Sequence, residues 1–187
     1  MNRYKALIIG GSAGSFQVIV YILSRLPKDF PMPIFLSLHR LKHIRTGFVE
    51  ALSIKSNIKI VEPSDKELPK AGIAYLAPAN YHMLLNIDKR ISLSISQQVN
   101  HSRPSIDLSF QTAGEVYKDK IVGVILSGAN KDGAKGLKRI SELGGCTLVQ
   151  DPKDSQITTM PQSALDLLTP DKVLSIKELS DYINSLK

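Results

Sequence analysis

Cysteine is nearly absent from this 187-residue chain, whose only example is Cys146. A single cysteine excludes an internal disulfide framework and is typical of proteins from a reducing compartment. Cys146 opens the apolar segment Cys146-Thr147-Leu148-Val149. We therefore expect its thiol to be buried and inert, and a reactive thiol is the less favoured alternative.

Long apolar runs are also lacking. No segment has the length of a membrane span, and the N-terminal apolar stretch is too short for a signal peptide because it runs directly into Gly-Gly-Ser. We therefore expect a cytoplasmic protein without membrane insertion. Hydrophobic residues make up 43% of the chain and charged residues 22%, an ordinary globular composition. This length and composition predict one domain over residues 1–187.

Clustered positive charge is missing, although the net charge is +7. The 24 Lys and Arg residues are dispersed, with no basic block and no alternation of basic and aromatic residues. This distribution argues against a nucleic-acid partner. It leaves two interpretations: a surface that attracts an acidic protein partner, or a solvated basic surface without a role.

Apolar runs alternate with amphipathic segments along the chain, a pattern typical of an α/β protein. The predicted strands cover residues 6–9, 33–38, 58–61, 73–76, 83–87, 91–95, 121–126, 146–149 and 173–174. The predicted helices cover residues 15–26, 44–54, 104–117, 133–143, 161–168 and 176–186. The strands between residues 58 and 95 follow one another through turns, and the tight turn Asp88-Lys89-Arg90 between the last two predicts a hairpin. We therefore expect a doubly wound, mostly parallel sheet with helices on both faces and an antiparallel hairpin at one edge.

Polar side chains follow three of the predicted parallel strands. Ser12 lies in Gly10-Gly11-Ser12-Ala13-Gly14 after the first strand, His39 ends the second, and Asp132 lies in the loop after strand 121–126. Ligands of open parallel sheets bind outside the carboxyl ends of the strands, so these three side chains are expected at one edge.

A serine, a histidine and an aspartate together have the chemistry of acyl transfer. A histidine can take the serine proton, a carboxylate can orient the histidine, and N–H groups at the start of a helix can stabilise an oxyanion. Each residue also has a structural alternative: Ser12 as a helix N-cap, His39 as a packed histidine and Asp132 as a cap of the next helix. The glycine run lacks the Gly-x-Gly-x-x-Gly fingerprint and the Lys-Ser/Thr of a P-loop, so nucleotide binding is weakly supported.

Six segments in order resemble the catalytic domain of the chemotaxis protein-glutamate methylesterases, the CheB family. The nucleophile, histidine and aspartate segments of that family are similar to Ile9-Gly10-Gly11-Ser12-Ala13-Gly14, Phe35-Leu36-Ser37-Leu38-His39 and Leu126-Ser127-Gly128-Ala129-Asn130-Lys131-Asp132-Gly133-Ala134. The other matches are Tyr75-Leu76-Ala77-Pro78-Ala79-Asn80-Tyr81-His82-Met83, Arg103-Pro104-Ser105-Ile106-Asp107, and Gln150-Asp151-Pro152 with Met160-Pro161-Gln162-Ser163-Ala164.

The resemblance implies a triad in which Ser12 is the nucleophile, His39 the base and Asp132 the orienting carboxylate. It implies hydrolysis of glutamyl methyl esters on the cytoplasmic helices of methyl-accepting chemoreceptors, and in some members deamidation of receptor glutamines. The backbone N–H groups of Ala129 and Ala13 are candidate oxyanion donors. No cofactor or metal is expected, and a monomer is expected.

The chain departs from the family pattern in five places. Ala13 stands for Thr, Ser15 for Gly, and Ala129, Asn130 and Lys131 for Met, Gly and Asn. The changes at Ala13 and at residues 129–131 motivate an alternative, in which the domain is a degenerate, non-catalytic binding or scaffold module. A third interpretation is a small nucleotide-binding domain with residues 10–14 as an anion loop.

The remaining three histidines are not expected to belong to the triad. His82 is expected to be structural or at the edge of the pocket, and His43 and His101 to lie on the surface. Met1 lies close before the first predicted strand, where familiar members of the family carry a receiver domain. Three explanations for the missing receiver domain are open. The enzyme is not controlled by phosphorylation of its own chain, it is controlled by a separate receiver or kinase protein, or the chain is a fragment of a longer one.

Overall fold

Seven parallel strands form the central sheet in the computed structural model, which describes residues 3–40 and 47–186. The strands in chain order are β1 (Ala6–Gly11), β2 (Ile34–Leu38), β3 (Lys59–Val61), β4 (Ile73–Leu76), β5 (His82–Leu85), β6 (Ile91–Ser94), β7 (Ile121–Ile125), β8 (Cys146–Gln150) and β9 (Lys172–Leu174). The sheet has the order β3-β4-β2-β1-β7-β8-β9, and every pairing in it is parallel.

Helices cover both faces of this sheet. They are α1 (Phe16–Arg25), α2 (Phe48–Ser53), α3 (Ile106–Tyr117), α4 (Ala134–Glu142), α5 (Thr159–Leu165) and α6 (Ile176–Asn184). One buried cluster contains Ile19 of α1, Leu52 of α2 and Leu179 of α6. The second contains residues of α3, α4 and α5, among them Phe110, Leu137 and Ala164. Strands buried on both faces explain the continuous apolar runs of the sequence, such as β1, where no residue is exposed.

The strand order reverses beside β1, and this is where the polar strand ends meet. The chain builds the sheet outward from β1 through β2 to one side, then returns to place β7 on the other side. The N–H of His39 donates to the carbonyl of Gly11 over 3.1 Å, and the N–H of Ser12 donates to the carbonyl of Ser127 over 2.9 Å. The backbones that follow β2, β1 and β7 are therefore neighbours at one edge.

The β5–β6 hairpin is antiparallel, and it forms a two-stranded sheet of its own instead of extending the parallel sheet. It packs on α3, where Leu85 N–H donates to Thr112 Oγ1 and Ser109 Oγ donates to the carbonyl of Met83. The outer edge of β6 pairs with residues 65–67, because Ile91 exchanges backbone hydrogen bonds with that segment. Both edges are thus satisfied without a strand of the main sheet.

The predicted fold class is confirmed, and each predicted strand and helix has a counterpart. The predicted strand 73–76 coincides with β4, and the other elements differ from their predictions at one or both ends. β1 continues two residues further, through Gly11, and α5 begins earlier and ends earlier than its pattern indicated. Predicted helix 44–54 corresponds to α2, while residues 44–46 and His43 lie outside the described residues. Cys146 is buried as expected, and burial raises the pKa of its thiol. Among the described residues no helix could cross a membrane.

Candidate active site

Ser12 lies in a turn whose backbone is held by hydrogen bonds. The carbonyl of Ser12 accepts from the N–H of Ser15 over 3.0 Å and from its hydroxyl over 2.7 Å. The carbonyl of Ala13 accepts from Ser127 Oγ over 2.9 Å. Gly14 adopts φ of +84°, and a Cβ there would lie 2.6 Å from Ser127 Oγ. The N-cap of α1 is Ser15, so Ser12 is not the helix cap that its position in the sequence also allowed.

Two backbone N–H groups near Ser12 are available to a ligand. Ala13 follows Ser12 and Ala129 follows β7, and both residues are exposed. Within residues 3–40 and 47–186, neither N–H donates a hydrogen bond to another protein group. Available donors beside a serine hydroxyl are what an oxyanion requires.

His39 and Asp132 are in direct contact. His39 Nε2 lies 2.8 Å from Asp132 Oδ2, although the residues are 93 positions apart in sequence. The side chain of His39 is 13% exposed and that of Asp132 is completely buried, so the imidazole is the member of the pair that a ligand can reach.

Asp132 accepts a dense set of hydrogen bonds from the start of α3. Ile106 N–H donates to Oδ2 over 2.7 Å, while Asp107 N–H and the Ser105 hydroxyl donate to Oδ1 over 3.1 and 3.0 Å. Burial alone raises the pKa of Asp132, but the hydrogen bonds from His39, this helix start and Asn100 outweigh it and lower the pKa. The carboxylate is therefore ionised and fixed at neutral pH.

Asp107 performs the capping role that the sequence also allowed for Asp132. Its Oδ1 accepts from the N–H groups of Gly133 and Gly136 at the start of α4, over 2.9 and 2.8 Å. Asn100 Nδ2 bridges the two carboxylates, donating to Asp107 over 2.9 Å and to Asp132 over 3.0 Å. Burial, together with the nearby charge of Asp132, raises the pKa of Asp107. The start of α4 is therefore capped by Asp107, while Asp132 contacts His39.

The second ring nitrogen of His39 faces Asn130. Asn130 Nδ2 lies 3.2 Å from His39 Nδ1, and Asn130 Oδ1 accepts the N–H of Asp132 over 3.1 Å. Within the described part of the chain, the Ser12 hydroxyl makes no hydrogen bond, to His39 or elsewhere. The structure thus joins two of the three predicted residues directly and leaves Ser12 on the adjacent strand end.

The other histidines lie outside this arrangement. His82 is completely buried, with Nδ1 accepting from Ser105 N–H over 3.1 Å and Nε2 donating to the carbonyl of Gln97 over 3.0 Å. It therefore holds the loop before α3, a structural role. His101 is exposed and borders a small cavity beside His39.

Three polar residues of the site were not singled out from the sequence as partners of the triad: Asn100, Ser105 and Asn130. Both Ser105 and Asn130 stood in segments that resemble the family, and Asn130 was also noted as a departure from its pattern. Asn100 stands in a polar stretch without periodicity, so no local signal marks it. Their contacts join segments that are far apart in sequence.

Residues 7–183 match the CheB methylesterase family. The chain belongs to the CheB methylesterase family. Its backbone superposes on the crystal structure of the Thermotoga maritima CheB methylesterase catalytic domain with a TM-score of 0.93 and 30% identity. That comparison covers 98% of this chain and 99% of the other. The predicted resemblance is therefore confirmed over nearly the whole chain.

Named relatives carry the same enzyme class. A Leptospira interrogans protein, provisionally named protein-glutamate methylesterase/protein-glutamine glutaminase, is 47% identical over 96% of this chain and 93% of its own length. The protein-glutamate methylesterase/protein-glutamine glutaminase of Clostridium acetobutylicum is 31% identical over 97% of this chain, which spans 53% of that protein. The predicted class, a methylesterase of the chemotaxis type, is confirmed, and the comparisons give no support to the degenerate scaffold.

Proposed function

We propose that this CheB-family domain hydrolyses glutamyl methyl esters of chemoreceptor cytoplasmic helices with Ser12, His39 and Asp132 as its triad. The observation that carries the proposal is the 2.8 Å contact between His39 and a buried, ionised Asp132, one strand away from Ser12. Family membership supports the ester chemistry, and the position of Ser12 at the switch point supports its role as nucleophile.

Each group has one task in the proposed reaction. Ser12 Oγ attacks the ester carbonyl while its proton passes to His39 Nδ1, the nitrogen that is not bound to Asp132. Asp132 stabilises the imidazolium through Nε2–H. The N–H groups of Ala13 and Ala129 hold the oxyanion, and their lack of other partners supports this assignment.

The acyl-enzyme then breaks down through the same groups. His39 gives its proton to the departing methoxide, and methanol leaves a glutamyl ester on Ser12. Water attacks this ester as His39 takes a proton from it, and His39 returns a proton to Ser12 Oγ. The products are methanol and a glutamate carboxylate. A glutamine side chain would release ammonia by the same steps, which is the deamidation that the relatives' names describe.

Release of methanol from a methylated receptor fragment tests this function. The wild-type chain should release methanol, and Ser12→Ala and His39→Gln should each lower kcat/KM about 10⁴-fold or more. The double variant should lose no more than the worse single variant, because the two residues act as one unit. Ser24→Ala, which removes a hydroxyl on α1 that donates to the carbonyl of Tyr21 away from the site, is the matched control. Folded wild-type protein that releases no methanol would contradict the function.

A further inference from the structure

The base nitrogen of His39 is already occupied by a side-chain amide. Asn130 Nδ2 lies 3.2 Å from His39 Nδ1. Because Nε2 is bound to Asp132, Nδ1 is the nitrogen that must receive the Ser12 proton. The amide of Asn130 and the hydroxyl of Ser12 therefore need the same lone pair.

The orientation of the Asn130 amide follows from its second contact. Its Oδ1 accepts the N–H of Asp132 over 3.1 Å, and only a carbonyl oxygen can do this. The NH₂ group must then face His39, and Nδ1 must be an acceptor without a proton. Asp132 is ionised, so the ring proton lies on Nε2. Both contacts agree on one neutral tautomer, in which the proton is on Nε2 and the lone pair on Nδ1.

We propose that Asn130 is a positioning residue: it holds His39 in this tautomer and covers Nδ1 until the Ser12 hydroxyl takes its place with substrate bound. The proposal rests on the proposed function only in assigning the base to His39. A hydrogen bond to Nδ1 exists only while Nδ1 is unprotonated, so Asn130 favours the neutral ring. If Nδ1 were protonated, its N–H would face the NH₂ group of Asn130. Because both groups are donors, the amide could no longer bond to the ring.

The effect of Asn130 on His39 can be measured apart from the effects of the charged groups around the imidazole. Asp132 acts on Nε2, on the opposite side of the ring. Arg40, His101 and Arg103 line the small cavity beside His39. Asn130 is the residue that donates to Nδ1 among the described residues, and a change confined to its amide leaves these charged groups in place.

Asn130→Asp is the sharpest variant, because it keeps an oxygen for the Asp132 N–H and replaces the donor to Nδ1 with an acceptor. Asn130→Ala removes both contacts, and it is the second test variant if Asn130→Asp does not fold. Asn57→Asp is the matched control, since Asn57 donates to backbone carbonyls of Ser24 and Leu26 away from the site. ¹⁵N NMR of the imidazole, assigned with His39→Gln, reads the tautomer without any need for activity.

Wild-type protein at pH 8 should show His39 with its proton on Nε2 and a hydrogen-bonded Nδ1. In Asn130→Asp the acid limb of the kcat/KM profile should move to higher pH by about one unit or more, since a carboxylate near Nδ1 favours the imidazolium. In Asn130→Ala it should move by about half a unit to one unit, with the Nδ1 resonance shifted towards that of a free lone pair. Asn57→Asp should change neither readout.

Wild-type His39 with its proton on Nδ1 would overturn the proposal, as would an Nδ1 resonance that is the same in the wild type and both variants. Wild-type protein with the expected NMR signature but no ester hydrolysis would instead overturn the proposed function and leave the role of Asn130 standing.

Discussion

His39 Nε2 and Asp132 Oδ2 lie 2.8 Å apart, and this contact ties the end of β2 to the loop after β7. Asp132 is held in turn by the first N–H groups of α3. The partial positive charge of a helix start stabilises a carboxylate at that place. The same carboxylate therefore contacts the imidazole and joins three segments of the fold, and under the proposed function it also orients the base.

Asp132→Asn should lower the free energy of unfolding by about 3 kcal/mol at pH 7, because its NH₂ group would face donors in a buried network. The sign of the pH effect follows from the lowered pKa. The contribution of Asp132 is present above its unfolded pKa of about 4 and is lost as pH falls through the lower pKa of the folded state.

Urea unfolding between pH 7 and pH 2.5 measures this contribution. Wild-type stability should fall more steeply below about pH 4 than that of Asp132→Asn. The control is Asp88→Asn, at an exposed hairpin turn, which should follow the wild-type curve. Parallel curves for Asp132→Asn and wild type would show that the carboxylate has no such role.

Gly14→Ala tests the turn that presents Ser12. The residue has φ of +84°, and the added Cβ would lie 2.6 Å from Ser127 Oγ, which holds the carbonyl of Ala13. The backbone strain alone costs about 1–2 kcal/mol. We expect that loss of stability together with a fall in kcat. Gly47→Ala is a matched control, because φ there is +85° and no described atom lies within 4 Å of its added Cβ.

Thermal unfolding and ester hydrolysis separate the two effects. Gly47→Ala should lose stability by strain alone and keep the wild-type kcat. Equal kcat values for folded Gly14→Ala and wild-type protein would show that the turn does not position the nucleophile.

Ala129→Pro tests the oxyanion donor, because proline has no N–H while Ala129→Gly retains it. We expect kcat to fall about 10²-fold or more with KM little changed, since the oxyanion exists only in the transition state. Ala129→Gly should stay close to wild type. Circular dichroism establishes that Ala129→Pro is folded. A folded proline variant with wild-type kcat would remove Ala129 from the mechanism.

Ionic strength tests whether the net charge of +7 assists encounter with an acidic receptor helix. Lys131 and Lys135 are exposed and line a cleft of about 330 Å³ next to Asn100. Raising salt from 10 mM to 150 mM should lower kcat/KM several-fold, because surface charges are screened beyond about 8 Å at the higher value.

Replacing both lysines with glutamine should weaken this salt dependence. Lys5 and Lys59 are exposed at the opposite, amino-terminal edge of the sheet, so the same change there should leave it intact. A kcat/KM that is independent of salt would exclude electrostatic steering.

Local patterns were sufficient to predict the strands and helices because buried strands are continuous apolar runs here. The Ala6–Gly11 strand and the apolar stripe of α1 are examples. Local patterns did not predict that the hairpin forms a sheet of its own, since its separation from the main sheet depends on contacts with α3 and with residues 65–67. Sequence periodicity carries no information on such distant pairings.

The candidate site divides in the same way. Ser12, His39 and Asp132 follow strand ends, so topology alone predicts that they share an edge. The bridge from Asn100 and the amide of Asn130 depend on where loops place single side chains. Neither loop has a repeating pattern, and Asn130 acts on a residue 91 positions away.

The most direct test of the central claim is covalent labelling of Ser12. A fluorophosphonate reagent, which reacts with activated serines, should modify the wild-type chain once, and peptide mass spectrometry should place the label on Ser12. Labelling should be lost in Ser12→Ala and strongly slowed in His39→Gln, with Ser15 and Ser127 unmodified. A folded wild-type chain that remains unlabelled, or a label that persists in Ser12→Ala, would contradict the account.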